Sequence, residues 1–192
     1  MTTVRQHYVP QGYLKGFASQ PGTPFVWVYD KRKGREPKEK SVKSQAYADY
    51  YYSQETLSGE QDIDSVEKAL AKTVDSDLPA LIHRIQATPG RSVMLAPEDR
   101  EKLAFFIALG LTRVPSFRNG INGIFSWAAQ LALSEVANSD ELLSKFVSQY
   151  KISAQAKDWV SLRPMIQMAN IISNSLLHKN WQFIYPQATF HS

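Results

Sequence analysis

Apolar residues at helical spacing, cut into pieces by prolines, constrain this chain more than any other feature. From about Asp64, Val66, Leu70, Val74, Leu78, Leu81 and Ile85 recur every three to four residues, the signature of a helix with one buried face. Asp64 is the expected N-cap, with Glu67 at the capping-box spacing. Pro79 lies inside the pattern, where it removes a backbone donor and clashes with the preceding turn, so a kink or break is expected there. Thr88-Pro89-Gly90 should end the segment. A second helix opens at Pro97-Glu98-Asp99, because proline suits the first helical position and acids suit the positive end of the helix dipole. Leu103, Phe106, Ile107, Gly110 and Val114 form its apolar face, and Pro115 interrupts it. Helix should resume from about Phe125 to Val136. A shorter helix should cover Asp140 to Tyr150, capped by Ser139. A last one should run from about Asp158 to Leu177, with Pro164 in its early turns.

The first third reads differently. Phe25 to Tyr29 is β-branched and aromatic and predicts a strand. Asp30 to Arg35 predicts a hairpin turn with Gly34 at the flexible position. Lys40 to Ala46 is the expected return strand, Tyr47 to Ser53 an extended segment, and Trp181 to Tyr185 a terminal strand that could pair with the hairpin. The fold class expected is a helix-dominated α+β protein with four or five helices. Its small antiparallel sheet would come from the N-terminal hairpin and the C-terminal strand. A single domain over 1–192 is expected, strand- and loop-rich in 1–57, helical in 58–178 and closed by 179–192.

With no cysteine in 192 residues, thiol nucleophiles, redox thiols and cysteine-ligated zinc are excluded. No secretory h-region opens the chain, and no run approaches the roughly 18 apolar residues that suggest a membrane span. A cytoplasmic location is the expectation. A net charge of +4 permits a polyanionic partner without requiring one. There is no Walker loop, dinucleotide fingerprint or Gly-x-Ser-x-Gly elbow, and His83, His178 and His191 match no metal spacing. No cofactor is indicated.

The segment His7-Tyr8-Val9-Pro10-Gln11-x-Tyr13-Leu14-Lys15-x-Phe17 resembles the opening of the bacterial domain-of-unknown-function family 4238. Val26 to Lys31 resembles its first strand, Leu103 to Pro115 its central helix, and Asn180-Trp181-Gln182-Phe183 its late tryptophan strand. The resemblance implies two departures. The family carries a second acidic residue after the position of Glu67, a role that Asp75 or Asp77 takes here or that is lost. Family members also continue into a Thr-Ser-Asp-Asn-Pro segment where this chain reads Thr189-Phe190-His191-Ser192, so a shortened chain is expected, inactive if the missing Asp is catalytic.

Four residues are candidates for chemistry: His7, Arg113, Asp77 and Glu67. A histidine before the fixed φ of Pro10 can serve as base, acid or metal ligand, or it can lock the N-terminus through a backbone carbonyl. Arg113, near the apolar stripe, suits a phosphate or carboxylate clamp. It equally suits an ion pair with Glu67, Asp75 or Asp77. Asp77 between Val74 and Leu81 needs a partner, which His7 or Arg113 could supply. Glu67 has the simpler reading of a capping residue. The basic run Lys31, Arg32, Lys33 and Arg35 is the candidate nucleic-acid contact, against a solvated hairpin tip.

Two functions are expected to compete. One is a nucleic-acid-processing or phosphodiester-type hydrolase, with His7 as general base or metal ligand, Asp77 or Glu67 orienting it and Arg113 holding the anion. The other is a non-catalytic module that binds a protein or nucleic acid, with His7 and Arg113 consumed by internal hydrogen bonds. A nucleic acid or other phosphate-bearing ligand is the expected partner. Ile121, Ile124, Phe125, Trp127 and Leu131 could form a homodimer surface, against ordinary core packing.

Overall fold

A computed structural model describes residues 4–32, 34–56, 58–87 and 94–184, with the backbone alone at position 74. Lys33, the stop at Thr88-Pro89-Gly90, Tyr185 and the end at Thr189 to Ser192 lie outside the described residues. The fold is helix-dominated α+β. Its strands form separate antiparallel pairs: β1 (Arg5–His7) with β4 (Tyr47–Asp49), β2 (Phe25–Val28) with β3 (Lys38–Ser41), and β5 (Gln54–Glu55) with β6 (Gln61–Asp62). Between β1 and β2, the five-residue helix α1 covers Gln11–Lys15.

The hairpin β2–β3 forms, but its return strand is Lys38–Ser41 rather than the expected Lys40 to Ala46, because a 3-10 turn takes Val42–Ser44. Asp30 pins the hairpin turn by pairing with Arg32 and Arg35. The terminal strand does not form over its described part. Trp181 to Ile184 pairs with no strand. Instead, the Trp181 indole N–H donates to the Leu176 carbonyl at 2.8 Å, and Arg100 lies over its ring. Arg100 also donates to the carbonyls of Leu177 and Lys179. The segment thus closes a helix end, where carbonyls need partners.

The helices are α2 (Ser65–Leu70), α3 (Leu78–Gln86), α4 (Pro97–Thr112), α5 (Pro115–Asn138), α6 (Glu141–Gln149) and α7 (Leu162–Leu177). The break expected at Pro79 takes a specific form. A π-helical turn, Ala71–Asp75, follows α2, and the Ser76 N–H reaches back to the Ala71 carbonyl at 3.1 Å. Pro79 has no N–H to offer the Asp75 carbonyl, so a regular helix cannot continue through this point. Asp64 does not cap α2 with its side chain and pairs with Lys68 instead. Asp62 takes over, accepting from the Ser65 N–H. The cap of α6 is likewise shifted, from Ser139 to Asp140, whose Oδ1 accepts from Leu142 and Leu143 N–H.

Helices α4 and α7 make the most extensive helix pair. Leu103, Phe106, Leu109, Leu162, Met165 and Ala169 join Leu70, Leu78, Leu81, Ile85 and Tyr52 in one core. Complete burial of a leucine or methionine contributes roughly 1.5–3 kcal/mol, so Leu81, Leu109 and Met165, all essentially sealed from solvent, carry much of it. Helix α5 begins at Pro115, earlier than expected. Its Ile124, Phe125, Trp127 and Leu131 are exposed and are not core residues. No helix among the described residues is long and apolar enough to cross a membrane.

Candidate functional site

Where α4 stops, Arg113 is placed. Its N–H closes the last turn on the Leu109 carbonyl at 2.9 Å, and Val114 is extended because Pro115 follows. The side chain turns inward and is 1% exposed. Its carbonyl accepts the Tyr51 hydroxyl at 2.7 Å, which satisfies an orphan acceptor of the helix end.

Strand β1 brings His7 to the same place. Antiparallel pairing sets His7 opposite Tyr47, whose ring lies 5.7 Å from the imidazole. Gln6, pointing the other way, is fully buried. It accepts the Tyr52 N–H at 2.5 Å and donates to the Ile63 carbonyl at 2.6 Å. Tyr52 in turn donates its hydroxyl to the His7 carbonyl at 3.2 Å. Burial pushes the Tyr52 phenol far above its ordinary range, so it remains a neutral donor.

A cavity of about 170 Å³ opens between these elements, lined by His7, Gln11, Tyr52, Glu67, Asp75 and Arg113 among others. Three of the four candidate residues, His7, Glu67 and Arg113, are therefore brought together. Asp77 is not. It is exposed, pairs with Lys102 at 2.7 Å and accepts from the Ser76 hydroxyl. Asp75 occupies the position expected for Asp77, because the π-helical turn adds a residue before α3 and resets which acid faces inward. Arg113 Nη1 lies 3.4 Å from Asp75 Oδ1. Glu67 lines the cavity, half-buried, so capping is not its only setting.

The electrostatics follow from burial. Desolvation lowers the His7 pKa, opposed by backbone contacts from Val42 and Lys43 that favour the charged ring. Desolvation raises Glu67, helped by the charges of Asp64 and Asp75. It also raises Asp75, against the pull of Arg113. Two cavity-wall groups keep an unpartnered buried nitrogen among the described residues, His7 Nε2 and Arg113 Nε. No cluster of three or more His, Asp or Glu arranged for a metal occurs among the described residues.

The basic turn is elsewhere. Arg32 and Arg35 both pair with Asp30, Lys31 is exposed, and Lys33 lies outside the described residues. Sequence reasoning missed Gln6, Gln11 and Arg118. For Gln11 a signal existed: it sits four residues after His7, just past the stiff Pro10. Arg118 is 4% exposed and donates to Ser161 Oγ and to the carbonyls of Asp158 and Tyr51.

The family model described as "Protein of unknown function (DUF4238)" matches residues 5–190, so the chain belongs to that family. No curated protein and no solved structure matches it.

Proposed function

We propose that this member of the DUF4238 family is a phosphodiester-type hydrolase whose site is the His7–Glu67–Arg113 cavity. The observation that carries the reading is the convergence of these three residues, from three distant parts of the chain, around one cavity. Depression of the His7 pKa leaves the imidazole neutral near pH 7, the form a general base needs. Elevation of the Glu67 pKa favours the protonated form a general acid needs. In the proposed step a water oxygen attacks phosphorus and gives its proton to His7. The bond to the leaving oxygen breaks, and that oxygen takes the Glu67 proton. Arg113, steadied by Asp75, attracts the non-bridging oxygens.

The test is turnover of an activated phosphodiester and of single- and double-stranded nucleic acid by the full chain. His7→Asn and Glu67→Gln should each lower kcat by about 10²–10⁴, while Asp77→Asn should leave it unchanged. Equal turnover in wild type and His7→Asn would overturn the reading.

A second reading, a binding module, is favoured by one observation. The outward face of α5 exposes Ile124, Trp127 and Leu131, and the charges in the 24-residue helix are the buried Arg118 and the exposed Glu135 near its C-terminal end. A face so largely apolar can meet a second copy of itself, which points to a homodimer. Sedimentation would show a dimer that Trp127→Glu converts to monomer. A wild-type monomer at all concentrations removes this reading.

A further inference from the structure

The imidazole of His7 has two nitrogens, and only one can act as base in the neutral ring. Nδ1 meets the Gln11 side-chain amide at 3.5 Å. Nε2 is enclosed, without a partner in hydrogen-bonding geometry. Gln11 and His7 both line the cavity, and the i,i+4 spacing across Pro10 holds them together. Pro10 is buried at the start of α1, so the backbone joining the two residues is fixed.

We infer that Gln11 is a positioning residue that selects the tautomer of His7, keeping the ring proton on Nε2 and leaving the working lone pair on Nδ1, beside Gln11. The Gln11 N–H donates weakly to Nδ1, and this requires an unprotonated nitrogen there. The contact is at the long limit for a hydrogen bond, so it orients the lone pair without consuming it, and an incoming water competes for it. The backbone of Val42 and Lys43 favours a proton on the ring without selecting which nitrogen carries it, so the choice between the two is left to Gln11. Turning the amide over, so that its oxygen faces Nδ1, would move the proton to Nδ1 and leave the base on the enclosed nitrogen.

The inference rests on the hydrolase reading for its use, but its test does not. Nitrogen-15 spectra of the full chain, with His7 assigned by its loss in His7→Asn, report the tautomer directly. Wild type should show Nε2 protonated and Nδ1 bare. Gln11→Leu should give a mixture of both forms. Gln11→Glu should move the proton to Nδ1 and raise the His7 midpoint by about one pH unit or more, as a facing carboxylate does. On turnover, Gln11→Glu should shift the acid limb of the pH profile upward, while Gln11→Leu should lower kcat with KM little changed. A protonated Nδ1 in wild type, or an unaltered tautomer ratio in Gln11→Leu, overturns the inference. The expected spectra in a chain that hydrolyses nothing would instead sink the hydrolase reading and leave the Gln11–His7 relationship standing.

Discussion

Arg113 Nη1 stands 3.4 Å from Asp75 Oδ1, longer than the roughly 2.7–2.9 Å of a strong charge-assisted bond. The arginine is sealed inside while the aspartate is partly exposed, so the pair is one-sided: Asp75 compensates a charge that has no access to water. Desolvation of Asp75 nevertheless outweighs the pull of Arg113 and raises its pKa, so Asp75→Asn, which removes the charge and keeps an acceptor oxygen, should leave stability at pH 7 unchanged or slightly higher. Urea unfolding at pH 7 measures it. A loss of more than about 1 kcal/mol would show that Arg113 depends on the Asp75 charge.

The cavity's ionisable groups should leave a mark on stability against pH. Asp75 and Glu67 have folded pKa values above their ordinary 3.8 and 4.5. Between the unfolded and folded values the native state holds more protons, so stability falls as pH rises through that window. His7 has a folded value below its ordinary 6.5. There the unfolded state holds more protons, so stability rises as pH climbs from the folded value towards 6.5. The expected profile falls from about pH 4 and recovers on approach to 6.5. Asp75→Asn with Glu67→Gln should flatten the falling limb, and His7→Asn the rising one. Thermal melts at half-unit steps in pH would reveal a monotonic curve if these groups are not so perturbed.

Gly12 sits where α1 approaches α3 closely. A Cβ at this position would meet Pro79 Cγ at 3.0 Å, too close for either the short helix or the proline ring to ignore. Gly12→Ala should cost about 1–3 kcal/mol, the usual range for overpacking. Pro79→Ala removes the ring, so the double variant should be less destabilised than the two single changes added together. Strict additivity in that cycle would mean the contact carries no energy.

What the sequence made legible, and what it hid, divides along physical lines. Proline positions marked the breaks before α3 and before α5, because a missing N–H acts locally whatever the tertiary setting. His7, Glu67 and Arg113 were legible as residues whose chemistry needs a partner. The choice of Asp75 over Asp77 was not, since it depends on the π-helical turn at Ala71–Asp75, and a single extra residue in a turn leaves no trace in apolar spacing. The exposed face of α5 was left undecided between a homodimer surface and core packing, for the opposite reason. Ile124, Trp127 and Leu131 have the periodicity of a core stripe, and periodicity does not say whether anything packs against it. The Trp181 segment looked like a strand by composition, but its indole went to a helix end.

Arg118 is the last residue whose role only the fold discloses. It sits in the first turns of α5 yet donates to Ser161 Oγ at 2.9 Å, to the Asp158 carbonyl at 2.9 Å and to the Tyr51 carbonyl, with its guanidinium 4.2 Å from the Tyr51 ring centre. It thereby joins α5, the 3-10 turn Asp158–Ser161 and the segment that carries Tyr51 and Tyr52. Tyr51 in turn bonds the Arg113 carbonyl, so loss of Arg118 should loosen the cavity wall from a distance. Lysine keeps the charge, but its single nitrogen cannot stand in for the separate Nε, Nη1 and Nη2 donors that reach these acceptors. Arg118→Lys should cost about 2–4 kcal/mol, within the range for a truncated buried polar network, and Arg118→Ala at least as much. Hydrogen exchange gives the sharper readout. The Tyr52 amide, bonded to Gln6, should lose protection in Arg118→Lys, while the amides of α6, which Arg118 does not touch, should keep theirs. Equal protection at Tyr52 in both proteins would show that the Arg118 network does not reach the cavity.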